Sequence, residues 1–142
     1  MQGTFFTHIG MIYKDETGKI YILENNPTNY YCNLNKKVKS GPQMLDFNNR
    51  FNDLKNYRIH VVKNNLHKFI DIEKFNRSIL KYKDHSFQQD GIYCVNYITK
   101  LLEENGLYRS NNMFPLPDNL LNKNNYTFGI KFEEPVIIKD IK

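Results

Sequence analysis

The sequence of 142 residues contains no tryptophan and only two cysteines, Cys32 and Cys94. Two cysteines are too few for the disulfide framework that holds small secreted domains together. A membrane-spanning helix requires a run of about 18 uncharged apolar residues, and the sequence has none. Its first residues lack the basic and apolar segments of a secretion signal. We therefore expect a single intracellular domain over residues 1–142 with free thiols.

Patterns that bind metals or nucleic acids are also missing. The four histidines and two cysteines show no spacing typical of a zinc site, so we expect neither a metal nor another cofactor. The net charge of +5 comes from 20 basic and 15 acidic residues, and the densest basic cluster is the short run 36–39. We expect a solvated basic surface without sequence-specific nucleic-acid binding. Nonspecific binding through this charge is an alternative.

Tyrosine and phenylalanine are abundant, with ten residues each, and provide ample material for a packed core. Residues 4–13 and 19–24 are rich in aromatic and β-branched residues, and a polar turn with Gly18 separates them. This pattern predicts a β-hairpin. The asparagine-rich residues 25–56 are predicted to form a long excursion with one short strand near Val38.

The rest of the chain is predicted to alternate between strands and helices. The predicted elements are strand 57–63, helix 66–82, helix 90–105, strand 127–132 and strand 136–138. Asp71 is a candidate N-cap if the first helix starts late, and Gly106 stands where the second helix needs a C-terminal glycine. The predicted class is α+β, with an antiparallel sheet, the hairpin first and a buried helix in the second half.

Cys94 is the candidate nucleophile. Asp90 and Gly91 begin the predicted second helix, which places Cys94 in its first turn. Unpaired backbone N–H groups and the positive end of the helix dipole lie there; they favour a thiolate and can hold a developing oxyanion. The alternative is that Cys94 serves packing alone, because free cysteines on apolar helix faces are usually core residues.

A nucleophilic thiol needs a base that is itself oriented by a third polar group. If Tyr13 pairs with Lys19 across the turn, His8 lies opposite Glu24, close enough for the carboxylate to hold the imidazole. A register shifted by two leaves the pair diagonal and within reach, whereas an odd shift puts the two on opposite faces. The alternative is an ordinary cross-strand pair on a solvated face.

Three segments resemble one protein family. Thr-His-Ile-Gly-Met-Ile at 7–12, followed by a turn and a strand that ends Ile-Leu-Glu at 22–24, resembles the histidine hairpin of permuted papain-like proteins. These include the NlpC-type amidases with rearranged strand order, the YiiX-like bacterial proteins, their poxvirus relatives and the lecithin:retinol acyltransferase group. Ile-Tyr-Cys-Val-Asn-Tyr-Ile at 92–98 resembles the start of the family's cysteine helix, and Pro-Asp-Asn-Leu at 117–120 its Pro-x-x-Leu segment.

The resemblance implies a circularly permuted papain-like fold and a cysteine-dependent hydrolase or acyltransferase. By this resemblance Cys94 is the nucleophile, His8 the base and Glu24 the residue that orients His8. Tyr82 and Gln88, twelve and six residues before Cys94, are secondary candidates for holding the oxyanion or positioning substrate. The substrate would be an amide or ester in a peptide, a peptidoglycan-like molecule or a lipid.

A papain-like domain without catalysis, which binds a lipid, peptide or protein partner, is the competing interpretation. The abundance of Asn, Lys, Ile and Tyr is typical of an AT-rich genome and points towards a virus or protist. The expected location, which follows from the missing secretion signal and membrane-spanning run, is the cytoplasm, or the host cytoplasm or virion if the protein is viral. Contact with a membrane surface and the oligomeric state are left open.

Overall fold

The computed structural model describes residues 8–52, 58–109 and 117–139. It is an α+β domain, as predicted, with an antiparallel three-stranded sheet in the order β1-β2-β3 and a separate pair β4-β5. The strands and α-helices are β1 (Met11–Lys14), β2 (Ile20–Cys32), β3 (Lys37–Asp46), α1 (Phe47–Arg50), β4 (Ile59–Val61), α2 (Ile72–Tyr82), α3 (Cys94–Glu104) and β5 (Val136–Lys139).

The predicted first hairpin is present, but its register differs from the first one considered. Tyr13 pairs with Tyr21, so the shifted register is the observed one. The reason lies in the turn, where the Asp15 carboxylate accepts hydrogen bonds from the Thr17 and Lys19 backbone N–H groups, each at 2.9 Å. Together with the backbone bond from the Asp15 N–H to the Lys19 carbonyl at 3.0 Å, these bonds set Lys19 opposite Asp15, and Tyr13 then pairs with Tyr21. The predicted strand 4–13 is shorter in the structure, since β1 begins at Met11; residues 4–7 lie outside the described part.

The predicted excursion over 25–56 is wrong for most of its length. β2 continues to Cys32, and β3 pairs with it from Asp46 to Lys37. The proline at position 27 is tolerated because the pairing register shifts between Asn26 and Tyr30, where the ladder is interrupted and no backbone donor is required. Asn25 and Asn26 do not break the strand, because their side-chain Nδ2 groups donate to partners inside the fold, as described below.

The end of β3 leads directly into α1. Asp46 caps this four-residue helix by accepting a hydrogen bond from the backbone N–H of Asn48 at 2.9 Å. The cap turns the chain back over the sheet, so that Arg50, the last residue of α1, packs beside β2. This short helix was not predicted from the sequence.

Two of the three strands predicted after the hairpin region are present, and they form a second sheet. β4 lies within the predicted strand 57–63, β5 covers the predicted strand 136–138 and extends to Lys139, and the two pair with each other. The strand predicted for 127–132 is wrong, because Gly129 turns the chain at a φ of 101°. The Asn65 side chain binds the Gly129 carbonyl and the Lys131 N–H, at 2.9 and 2.7 Å, and so takes the places of strand partners.

Both long helices are present, and each starts later than the full predicted range. Asp71 caps α2 by accepting from the N–H groups of Glu73 and Lys74, while the preceding residues 66–68 form a separate 3-10 turn. α3 begins at Cys94, not at residue 90, because Asp90 adopts a left-handed φ of 56°. Gly106, at φ 75°, ends α3 as predicted.

α2 and α3 pack on one face of the three-stranded sheet. Alternate residues of the hairpin face them: Leu23 is fully buried in the core, whereas Ile12 and Ile20 on the other face are 48% and 43% exposed. The central core residues of the two helices are Phe75, Ile79, Tyr97, Ile98, Leu101 and Leu102. Within the described ranges, no helix has the length and apolar character needed to cross a bilayer.

Gly41 in β3 fixes the segment that leads to α3. Its φ is 87°, and a Cβ atom there would lie 2.4 Å from the backbone oxygen of His85 and 3.1 Å from the backbone nitrogen of Phe87. Only glycine allows so close an approach. The loop before Cys94 therefore rests directly on the backbone of the sheet.

Candidate active site

His8 and Glu24 form a direct pair. His8 Nε2 lies 2.6 Å from Glu24 Oε1, although the observed register places Glu24 opposite Gly10 and diagonal to His8. Gly10 makes room for this, since a Cβ atom at that position would lie 2.9 Å from the Cγ atom of Glu24 and from the side chain of Ile22. The hairpin therefore holds the carboxylate against the imidazole.

Glu24 is almost completely buried, with 1% of its side chain exposed, and its charge is well compensated. Arg50 donates from Nε to Glu24 Oε2 at 2.5 Å and from Nη2 to Oε1 at 2.9 Å, and Asn26 donates to Oε1 at 3.0 Å. Burial alone would raise the pKa of Glu24, but the hydrogen bonds and charges of His8 and Arg50 lower it to about 2. The carboxyl group is therefore ionised at neutral pH.

Cys94 is the first residue of α3, where backbone N–H groups have no partner within the helix. Asn96 fixes this helix start: its side-chain oxygen accepts from the Tyr93 N–H, and its Nδ2 donates to the Gly91 carbonyl at 2.8 Å. The fully buried Asn25 of β2 donates to the Ile92 carbonyl at 3.0 Å. The residue next to Glu24 thus ties the cysteine segment to the sheet.

The imidazole of His8 interacts with the side chains of both Glu24 and Cys94. Burial opposes its protonation, but hydrogen bonding with Cys94 and Glu24, together with their negative charges, raises the pKa of His8 to about 9. His8 is therefore an imidazolium at neutral pH. Because Nε2 faces Glu24, Nδ1 is the ring nitrogen left for Cys94. The structure brings the three main sequence-predicted residues together in the order Cys94, His8, Glu24.

The two cysteines have different surroundings. Cys94 is half-buried, whereas Cys32 at the end of β2 is fully buried. The Cys32 sulfur lies 3.2 Å from the side-chain oxygen of Asn35 and 3.4 Å from the backbone nitrogen of Met44. The structure thus gives Cys32 a packing role.

Of the two secondary candidates, Tyr82 lies away from this cluster. The Tyr82 hydroxyl donates to the carboxylate of Glu104, the last residue of α3, and its ring packs against Tyr97 in the core. Glu104 follows Cys94 by ten positions in α3, a rise of about 15 Å along the helix, so the structure does not support an oxyanion role for Tyr82. Gln88 lies in an exposed turn at φ 65°, and its role stays a prediction.

Arg50, Asn25, Asn26 and Gln43 complete the buried polar cluster and were missed by the sequence analysis. Gln43 pairs with Glu24 in the sheet, accepts from Asn26 Nδ2 at 3.1 Å and donates to the Thr28 carbonyl at 2.9 Å. The one available signal was the run of polar residues directly after the apolar strand 20–23. No spacing rule connects Glu24 with an arginine 26 residues later.

The described residues contain no group of three histidine, cysteine or acidic side chains placed to hold a metal ion. A cavity of about 680 Å³ lies at the C-terminal end of α3, beside Tyr108 and Tyr126 and away from Cys94. Comparisons of the chain with protein-family models, curated proteins and solved structures found no significant match. The family resemblance therefore rests on the motifs quoted above.

We expect Gly10→Ala to disturb this site through packing alone. The added methyl group would meet the Glu24 and Ile22 side chains at 2.9 Å, and such overpacking costs about 1–3 kcal/mol of unfolding free energy. Displacement of Glu24 should also slow alkylation of Cys94, measured with iodoacetamide at pH 7. Ile12→Ala, on the same face and half-exposed, is the control. An unchanged alkylation rate in folded Gly10→Ala would show that Glu24 tolerates displacement.

Proposed function

We propose that this chain is a cysteine hydrolase or acyltransferase that acts on an amide or ester bond. The observation that supports it is the position of His8, which interacts on one side with buried Glu24 and on the other with Cys94 at the start of α3. A nucleophile, a base and a residue that orients the base are what covalent acyl transfer by a thiol requires. We further propose that the α+β domain has a circularly permuted papain-like fold.

The reaction begins from the state in which the Cys94 thiol has given its proton to His8. The thiolate attacks the carbonyl carbon of the substrate, and the resulting oxyanion lies against the N–H groups at the start of α3. The imidazolium then gives its proton to the leaving amine or alcohol as the bond to the carbonyl carbon breaks, and a thioester on Cys94 remains. Attack by water or another acceptor, with His8 taking its proton, releases the acyl group and restores the thiol.

Glu24 contributes orientation and charge. Its carboxylate accepts from His8 Nε2 and so turns Nδ1 towards Cys94, and its negative charge favours the imidazolium that forms during the reaction. It transfers no proton itself, because its pKa of about 2 keeps it ionised throughout the neutral range.

The proposal predicts selective labelling of Cys94 by a thiol-directed probe in the native protein. Cys32→Ala should label like the parent chain, because Cys32 is fully buried, and Cys94→Ala should lose all labelling. In denaturant each single variant should label once, which controls for the presence of its remaining thiol. Incubation with an activated ester should add one acyl group to Cys94, detected by intact mass.

Two results would contradict the proposal. The first is native labelling at Cys32 with Cys94 inert. The second is a Cys94 that is alkylated at neutral pH no faster than a free thiol and takes up no acyl group. The second result would instead favour a binding module without catalysis.

A further inference from the structure

We propose that Arg50 is a positioning residue, whose two parallel hydrogen bonds fix the rotation of the Glu24 carboxylate so that one oxygen points at His8. This inference rests on the proposed function, because it concerns the same Cys94–His8–Glu24 site. Within residues 8–52, 58–109 and 117–139, the side-chain hydrogen bonds of Arg50 go to Glu24 and none goes to Cys94 or to the imidazole, so we expect its effect on the thiol to pass through Glu24.

The geometry of the two bonds carries the proposal. A guanidinium that donates from Nε to one carboxylate oxygen and from Nη2 to the other fixes the plane of the carboxylate, which a single point charge does not. Here Nε binds Oε2 at 2.5 Å and Nη2 binds Oε1 at 2.9 Å. Oε1 is also the oxygen 2.6 Å from His8 Nε2. The orientation that Arg50 sets is thus the one that His8 uses.

Arg50 is itself held in place. Only 7% of its side chain is exposed, and its guanidinium lies 5.0 Å from the ring centre of Tyr30 and 5.8 Å from that of Phe51. Its helix α1 follows β3 directly, and the capping residue Asp46 pairs with Tyr21 of β2. The sheet therefore determines where the guanidinium meets Glu24.

A role through charge alone makes the opposite prediction. A cation bound to Glu24 weakens the field of the carboxylate at His8, so removing a purely electrostatic Arg50 would raise the pKa of His8 above its present value of about 9. Loss of a positioning residue lets the carboxylate turn away from Nε2, and the pKa of His8 then falls towards its ordinary range. A purely structural Arg50 would change the melting temperature and leave the pKa of His8 in the folded protein unchanged.

The test compares Arg50→Gln with Arg77→Gln, a matched substitution at an exposed position of α2. NMR titration of the His8 ring protons gives its midpoint, and iodoacetamide alkylation at pH 7 gives the reactivity of Cys94. For Arg50→Gln we expect the midpoint to fall by one pH unit or more and the alkylation rate to fall about tenfold, since small displacements at reacting groups have effects of this size or larger. For Arg77→Gln both quantities should match the parent protein.

A folded Arg50→Gln variant with an unchanged or raised His8 midpoint overturns the proposal. If Arg50→Gln does not fold, Arg50→Lys is tested instead, because it keeps the positive charge but cannot form the two parallel hydrogen bonds. A lowered titration midpoint of His8 in Arg50→Lys supports a positioning role, and an unchanged midpoint overturns it. Different results would contradict the proposed function: Cys94 of the parent chain does not react with iodoacetamide, or its alkylation rate is unchanged when His8 is removed. A reactive, His8-dependent Cys94 with no Arg50 effect would therefore reject only the inference about Arg50.

Discussion

Replacing His8 with alanine is expected to slow the alkylation of Cys94 at pH 7 about tenfold or more. In the parent protein the imidazole stays protonated up to about pH 9 and lies beside the sulfur as a cation. Without this cation the thiolate form of Cys94, which is the form that reacts with iodoacetamide, loses the positive charge beside it and is less favoured. Second-order rate constants with iodoacetamide, measured in a Cys32→Ala background, give the effect.

The pH dependence of this rate provides the sharper measurement. The ratio of the parent rate to the His8→Ala rate should be largest across the neutral range, where the parent imidazole is a cation, and should shrink as the pH rises through the His8 pKa of about 9. His67→Ala, at an exposed position of the 3-10 turn before α2, is the matched control and should follow the parent profile. Superimposable profiles for His8→Ala and the parent protein would show that the histidine does not act on the thiol.

The pairing of His8 with Glu24 was predictable because strand geometry limits the choices. A register shift of two residues keeps both side chains on the same face and within diagonal reach, so the pair survives a two-residue error in the turn. That error arose at Asp15, whose side chain binds two backbone N–H groups of the turn and thereby decides where the ladder begins. Side-chain capping of this kind competes with strand pairing and leaves no trace in hydrophobic periodicity.

The position of Cys94 was predicted for a partly wrong reason. The helix was expected to begin at residue 90, which would have placed the cysteine at the end of its first turn. The left-handed conformation of Asp90 delays the start, and Asn96 fixes it at Cys94 by binding the backbone on both sides of the helix start. The thiol therefore lies closer to the unpaired N–H groups than the sequence indicated.

The extent of the sheet and the role of Arg50 were not predictable by the same rules. Asparagine is rare in strand interiors, so Asn25 and Asn26 indicated a loop, yet both are buried and bonded. Their partners, Ile92, Glu24 and Gln43, come from the cysteine segment and from two strands. Long-range polar pairing of this kind depends on the assembled fold, and local propensity does not report it.

These contacts connect the Arg50 guanidinium to the Glu24 carboxylate, the carboxylate to the His8 imidazolium, and the imidazolium to the side chain of Cys94. The deepest members are Glu24 and Arg50, with 1% and 7% of their side chains exposed, whereas 34% of His8 is exposed. The stability of the site and its reactivity should therefore depend on different members. Loss of His8 should act mainly on the thiol, and loss of the Glu24 charge should act on the fold as well.

Glu24→Gln is accordingly expected to lower the free energy of unfolding at pH 7 by about 3 kcal/mol or more. The substitution keeps the size of the side chain but leaves the buried Arg50 facing a neutral amide, and breaking a buried ion pair by removing one partner costs about 3–5 kcal/mol. Urea denaturation followed by circular dichroism measures the difference. Glu103→Gln, at an exposed position of α3, is the control and should change stability by less than about 0.5 kcal/mol.

The pH dependence of the Glu24→Gln effect follows from the lowered pKa of Glu24. A carboxyl group whose pKa falls on folding stabilises the native state fully above its unfolded value and loses this contribution as the pH falls through the folded value. For Glu24 these limits are 4.5 and about 2. The gap in unfolding free energy between the parent chain and Glu24→Gln should therefore be constant above about pH 5 and narrow below pH 4.5. If Glu24→Gln unfolds with the same free energy as Glu103→Gln at pH 7, the Glu24 charge does not stabilise the fold.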